Sequence, residues 1–94
     1  MPLVDVRAML AAARRRRQAL GSFNVFNLET VEAVLAAAVT RRCPVIVSFT
    51  ERMAADFDLE AVALLVRHRA AALPISVGLH LDHSQNEANM ASMR

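Results

Sequence analysis

Apolar residues recur along this chain in two alternating rhythms. Val6, Met9, Leu10 and Ala13 stand at i, i+3, i+4 and i+7, the stripe of an amphipathic helix. Asp5 in its first turn and Arg14 to Arg17 in its last both complement the helix dipole, and Gly21 is expected to break it. Ser22 to Phe26 then reads as a short strand. Leu28, Val31, Leu35 and Ala38 mark a second helix, with Asn27 as its N-cap and Glu29 and Glu32 near its amino end. That helix must stop near Cys43, because the residue before Pro44 is pushed out of the α region. Val45 to Phe49 is a β-branched strand with Thr50-Glu51-Arg52 as its polar exit. A third helix runs from an Asp58 cap through Leu59, Val62, Ala63, Val66 and Ala70. Pro74 to His83 closes the pattern, an apolar run opened by a proline and ending in His80, Asp82 and His83.

The order is helix, strand, helix, strand, helix, strand. Helices between successive strands imply parallel pairing through right-handed crossovers. The fold class is therefore α/β, and the expectation is a partial (β/α)8 barrel: a leading helix, the first three parallel strands and two connecting helices. Such a barrel takes about 250 residues, so residues 1–94 read as its amino-terminal fragment. A small open sheet is the alternative, with exposed strand edges.

Composition sharpens this in three ways. The chain is 55% hydrophobic with a mean hydropathy of +0.31, rich for its size and suited to strands covered on both faces. Its apolar runs are far shorter than the roughly 20 residues of a membrane span, so no membrane partner is expected. Eleven basic residues against nine acids leave +2, and all the basic residues are arginines. Without lysine, no side chain here can form a Schiff base. The run Arg14 to Arg17 would suit a nucleic acid or an anionic membrane. The small net charge and the lack of interleaved aromatics favour a solvated helix end, and no nucleic-acid partner is expected. Cys43 is the single cysteine, which excludes an internal disulfide and a cysteine-based zinc cluster. It is read as structural, and a cytoplasmic location fits. Asp5 and the absence of a cleavage-like region argue against a transit peptide.

Parallel strands bring their carboxyl ends to one rim, where α/β enzymes place ligands. That rim would carry Asn24 and Asn27, then Thr50 and Glu51, then His80, Asp82 and His83. Alternation points 80 and 82 one way and 81 and 83 the other, so the two histidines do not make an obvious two-histidine metal clamp. One aspartate for proton transfer and one histidine for metal or substrate is the better division. A solvated loop would account for the same residues.

Gly21-Ser-Phe-Asn-Val-Phe-Asn-Leu-Glu, Pro44-Val-Ile-Val and His80-Leu-Asp-His together resemble the amino-terminal third of class II fructose-bisphosphate and tagatose-bisphosphate aldolases. The similarity begins at Met1-Pro-Leu-Val and runs through nearly the whole chain, with His-Leu-Asp-His its most specific part. The resemblance implies a zinc-dependent (β/α)8 lyase that reversibly cleaves a ketose 1,6-bisphosphate to dihydroxyacetone phosphate and an aldehyde. It implies Zn2+ as cofactor, a Lewis acid toward the ketone. By the same resemblance His83 is a zinc ligand and Asp82 the catalytic acid/base. Asn24 and Thr50 would bind substrate, and His80 would support the site. Association into a homo-oligomer is compatible with it.

Three departures from the family pattern stand out. Ser84 replaces a common glycine, Glu51-Arg52-Met53 lacks a small glycine-bearing turn, and of the three protein ligands a catalytic zinc takes only His83 carries over. The alternative is a truncated, catalytically inactive scaffold piece that acts through association with itself or a partner chain.

Overall fold

The computed structural model describes residues 3–50 and 59–82. Its elements are α1 (Val6–Arg16), β1 (Ser22–Asn24), α2 (Leu28–Arg41), β2 (Val45–Thr50), α3 (Leu59–Ala71) and β3 (Val77–Asp82). The strands lie in the order β1-β2-β3, parallel throughout. Each strand is joined to the next by a helix, so the expected arc of a (β/α)8 barrel is what forms.

Local chemistry sets the helix ends. The Asp5 carboxylate accepts from the Arg7 N–H at 3.2 Å, making Asp5 the cap of α1 and not a residue of its first turn. Asn27 caps α2 through a reciprocal box: its Oδ1 accepts from the Thr30 N–H at 2.8 Å, while Thr30 Oγ1 accepts from the Asn27 N–H at 3.1 Å. Gly21 does not end α1. The helix stops four residues earlier, where Arg17 turns into the left-handed region with φ 54°, and Arg42 ends α2 the same way with φ 55°. Each arginine N–H returns to the last carbonyls of its helix. Gly21 has a different use, because a Cβ there would lie 2.6 Å from the ring of Phe23.

The strands differ in length from expectation. β1 ends at Asn24; Val25 still donates to the Ser48 carbonyl at 2.9 Å, and Phe26 has left the ladder. β3 begins at Val77, three residues beyond Pro74, which lies in the preceding turn. The expected cap Asp58 lies outside the described residues.

Alternation gives the sheet two faces. The odd-numbered residues Val47, Phe49 and Val77 face the helices and bury against Val31 and Leu35 of α2 and Val66 and Ala70 of α3. Burying side chains of this size stabilises by about 1.5–3 kcal/mol each, and this layer is the main core. Arg69 of α3 also reaches Glu32 of α2 at 2.8 Å, a half-exposed pair worth at most about 1 kcal/mol.

The even-numbered face is closed from below by α1. The extended segment before α1 bridges to Val77, with Val4 N–H donating to its carbonyl at 2.9 Å. Val6 and Met9 then press on Gly78: a Cβ at that glycine would lie 2.7 Å from Met9 Sδ and 3.0 Å from Val6 Cγ2. Met9 is buried, but Leu10, expected on the same stripe, is 52% exposed. Among the described residues, no helix is long and apolar enough to cross a membrane.

Candidate active-site rim

The ladder registers place the candidate residues. Asn24 pairs with Ser48, and Ser48 with His80, so these three form one lateral row across the strands, each step about 4.8 Å. The next row toward the carboxyl ends pairs Thr50 with Asp82, two residues and roughly 6–7 Å further along. His80 and Asp82 therefore sit within β3 and not beyond it. The structure brings Asn24, Thr50, His80 and Asp82 to the carboxyl-terminal end of one sheet. Thr50 and Asp82 are placed by their backbone pairing. His83 and Glu51 lie outside the described residues.

The row has a graded environment. Ser48 on the central strand is 2% exposed, whereas Asn24 and His80 at the flanks are open. His80 is exposed, and no hydrogen bond joins its imidazole to another described side chain. Beneath the row lies the apolar contact of Gly78, Ile46, Met9 and Val6. Polar groups above an apolar floor are the ordinary construction of a ligand site.

Sequence reasoning missed Ser48. The signal was available, since it interrupts Val45-Ile-Val-Ser-Phe two residues before Thr50 and so shares its face. Asn27 is withdrawn from the rim, because its side chain is committed to the α2 cap. Cys43 is exposed, with Sγ 3.3 Å from the Arg41 carbonyl. It precedes β2, at the end of the sheet opposite the rim, and is not the core residue that a structural cysteine would be.

A zinc ion, the metal implied by the resemblance, takes three protein ligands in a catalytic site. Among the described residues no group of three or more His, Cys, Asp or Glu could hold a metal. His80 has Ser48 beside it and Asn24 beyond, which are poor zinc ligands. The described residues do not fit the ion by themselves.

Comparison with known proteins agrees with this fold. The crystal structure of the YdjI aldolase from Escherichia coli K12 superposes with a TM-score of 0.85 at 27% identity, over 96% of this chain and 34% of that one. The fructose-bisphosphate aldolase of Geobacillus stearothermophilus is 36% identical over 89 residues, 92% of this chain and 31% of its own. The 6-phospho-5-dehydro-2-deoxy-D-gluconate aldolase of Halalkalibacterium halodurans is 36% identical over 87 residues, 88% of this chain and 30% of its own. The chain thus spans about a third of the length of these relatives. The family model described as fructose-bisphosphate aldolase class-II matches residues 4–94, and with three parallel strands converging on the Asn24–Ser48–His80 row, the chain belongs to the class II fructose-bisphosphate aldolase family.

Proposed function

We propose that this chain supplies the first arc of an aldolase active site that reversibly cleaves a ketose 1,6-bisphosphate into dihydroxyacetone phosphate and an aldehyde. The observation that carries the reading is the family match over residues 4–94, which takes in His80-Leu81-Asp82-His83. In this reading Asp82 removes the proton from the substrate hydroxyl beside the bond that breaks, and returns it in the condensation direction. A general base must come within about 2.6–3.2 Å of that oxygen and contributes typically 10²–10⁴-fold. Asn24 on β1 and Thr50 on β2 hold substrate oxygens, and His80 supports the site from the lower row. The apolar floor under that row keeps water from entering beneath the reacting atoms.

His83 is assigned as one ligand of a zinc ion whose remaining ligands come from outside these residues. Bound there, the metal would act as a Lewis acid at the substrate carbonyl oxygen. These 94 residues contain no lysine, so none of them supplies the amine of an imine route.

The test is a chimera in which this chain replaces the matched segment of the Geobacillus stearothermophilus aldolase. It is expected to cleave fructose 1,6-bisphosphate. Asp82→Ala should lower turnover at least 100-fold, in line with the loss of a general base, while zinc content by atomic absorption stays unchanged. Undiminished turnover in Asp82→Ala would refute the assigned role.

A second reading is favoured by the open strand edges and by the lack of a ligand cluster among the described residues. Here the chain alone is catalytically silent and acts only through association. It predicts zero aldol cleavage by the isolated chain at any zinc concentration.

A further inference from the structure

The run Arg14 to Arg17 reads as a solvated helix end in the sequence, on the strength of a net charge of only +2. The fold adds to that run. α1 ends before the start of β1 and α2 before the start of β2, so both helix ends come to the end of the sheet opposite the rim. Arg16, Arg41 and Arg42 line one concavity there, and Arg14 to Arg17, Arg41 and Arg42 are all exposed. Among the described residues none of the six has a carboxylate partner; the Glu32–Arg69 pair lies elsewhere. Asp5, at the other end of α1, is committed to its cap.

Two helix carboxyl ends carry roughly −0.5 charge each, which offsets about one of the six positive charges. The remainder exceeds what the helix ends require. The rest of the chain, five arginines against nine acids, carries a net −4. Among its described acids, Glu29 and Glu60 stand in the first turns of α2 and α3 and Asp82 ends β3, all toward the rim. The small net charge is thus the average of a polarised molecule. The open face of α1 continues the basic surface. Arg7, Leu10, Ala11, Arg14 and Arg15 are exposed and share one side of the helix, away from buried Met9. Leu10 stands between Arg7 and Arg14, an apolar side chain framed by guanidinium groups.

We propose that this surface docks an acidic helical segment of a partner protein, which sets carboxylates against the arginines and an apolar side chain on Leu10. Arginine clusters recognise acidic motifs in this way, their planar forks matching carboxylates. Leu10 favours a polypeptide over a phosphate backbone, and α1 carries no aromatic side chain on which a base could stack. One leucine is also a poor anchor for a membrane surface. A second copy related by two-fold symmetry would bring the same positive surface against itself. The proposal stands apart from the catalytic reading.

The test uses the full 94-residue chain and a fluorescein-labelled helical peptide with glutamates at i and i+7 flanking a leucine. A peptide of about 16 residues, at about 1.5 Å per residue, is longer than α1. Fluorescence anisotropy should show binding at low salt that weakens as the Debye length shrinks, and replacing the glutamates by glutamine should abolish it. Arg14→Gln/Arg15→Gln should weaken binding about tenfold, as for the loss of two exposed charge pairs. Arg52→Gln/Arg94→Gln, which removes the same charge from arginines outside the six, should change it less than twofold. Leu10→Ala should weaken this peptide at least threefold and leave unaffected a peptide in which serine replaces the leucine. All variants should keep the parent circular dichroism spectrum. Equal losses from the two arginine pairs would reduce the effect to net charge and overturn the proposal, as would absence of binding by the parent chain. Tighter binding of an oligothymidylate of the same charge, or of phosphatidylserine vesicles, would assign the surface to phosphate and overturn it too. So would a self-association that Arg14→Gln/Arg15→Gln dissolves, which would make the partner a second copy.

Discussion

The contact between α1 and Gly78 is the most exposed to a decisive test, because one methyl group probes it. In Gly78→Ala the new Cβ would meet Met9 Sδ at 2.7 Å and Val6 Cγ2 at 3.0 Å, with Ile46 Cγ1 at an ordinary 3.6 Å. Met9 is only 5% exposed, and Val6 is β-branched and stiff at χ1, so neither moves away freely. Overpacking of this kind costs about 1–3 kcal/mol. Gly78 does not have positive φ, so alanine adopts its backbone and recovers about 0.4–1 kcal/mol by restricting the unfolded chain. The net loss is about 1–2 kcal/mol, which for a domain of this size lowers the melting temperature by roughly 5–15 °C. Thermal and urea denaturation followed by circular dichroism reads it directly. Met9→Ala removes the closest obstacle and by itself costs about 2–5 kcal/mol. On that background Gly78→Ala should be neutral or stabilising, a coupling of at least about 1 kcal/mol. If Gly78→Ala instead stabilises the parent chain, α1 does not bear on β3 and the floor of the rim is wrongly placed.

Two further substitutions test the helix ends. Asn27→Ala removes the α2 cap and should cost about 1 kcal/mol by denaturation, while Asn27→Asp retains most of the stability; equal losses would place the asparagine in some other role. Arg42→Gly relieves a left-handed residue whose strain is about 1–2 kcal/mol, partly offset by the backbone entropy of glycine, so the urea midpoint should rise. A fall would mean that the arginine side chain contributes more than its backbone costs.

Much of the fold was legible because periodicity and capping are local. The helical stripe and the Asn27 signal place α2 to within a residue or two, and the β-branched run at Val45 places β2. The exits of α1 and α2 were not legible. An arginine in the left-handed region has no compositional mark, so the glycine at 21 drew the helix end toward itself. The seat of α1 was hidden for another reason. Its apolar stripe says that a face is buried, not against what, and Leu10 shows that even the face was drawn too wide. β1 read two residues too long because Val25 is as apolar as a strand residue, while its burial is against the outer helices. Of the rim, His80 and Asp82 announce themselves as ionisable residues ending an apolar run, whereas Ser48 depends on register, which only pairing reveals. The Glu32–Arg69 pair spans 37 positions, and no local pattern anticipates it.

The unequal lengths of the strands have a consequence for traffic at the rim. β2 and β3 stay paired up to Thr50 and Asp82, but β1 gives out at Asn24, and its chain then turns away to bury Val25 among the outer helices. The wall around the row is therefore stepped. On the β1 side its sill is two residues, about 6–7 Å, lower than on the β3 side, and half-exposed Phe26 and Leu28 flank the gap. Among the described residues, the path to His80 from the β1 side crosses the lower row at Asn24.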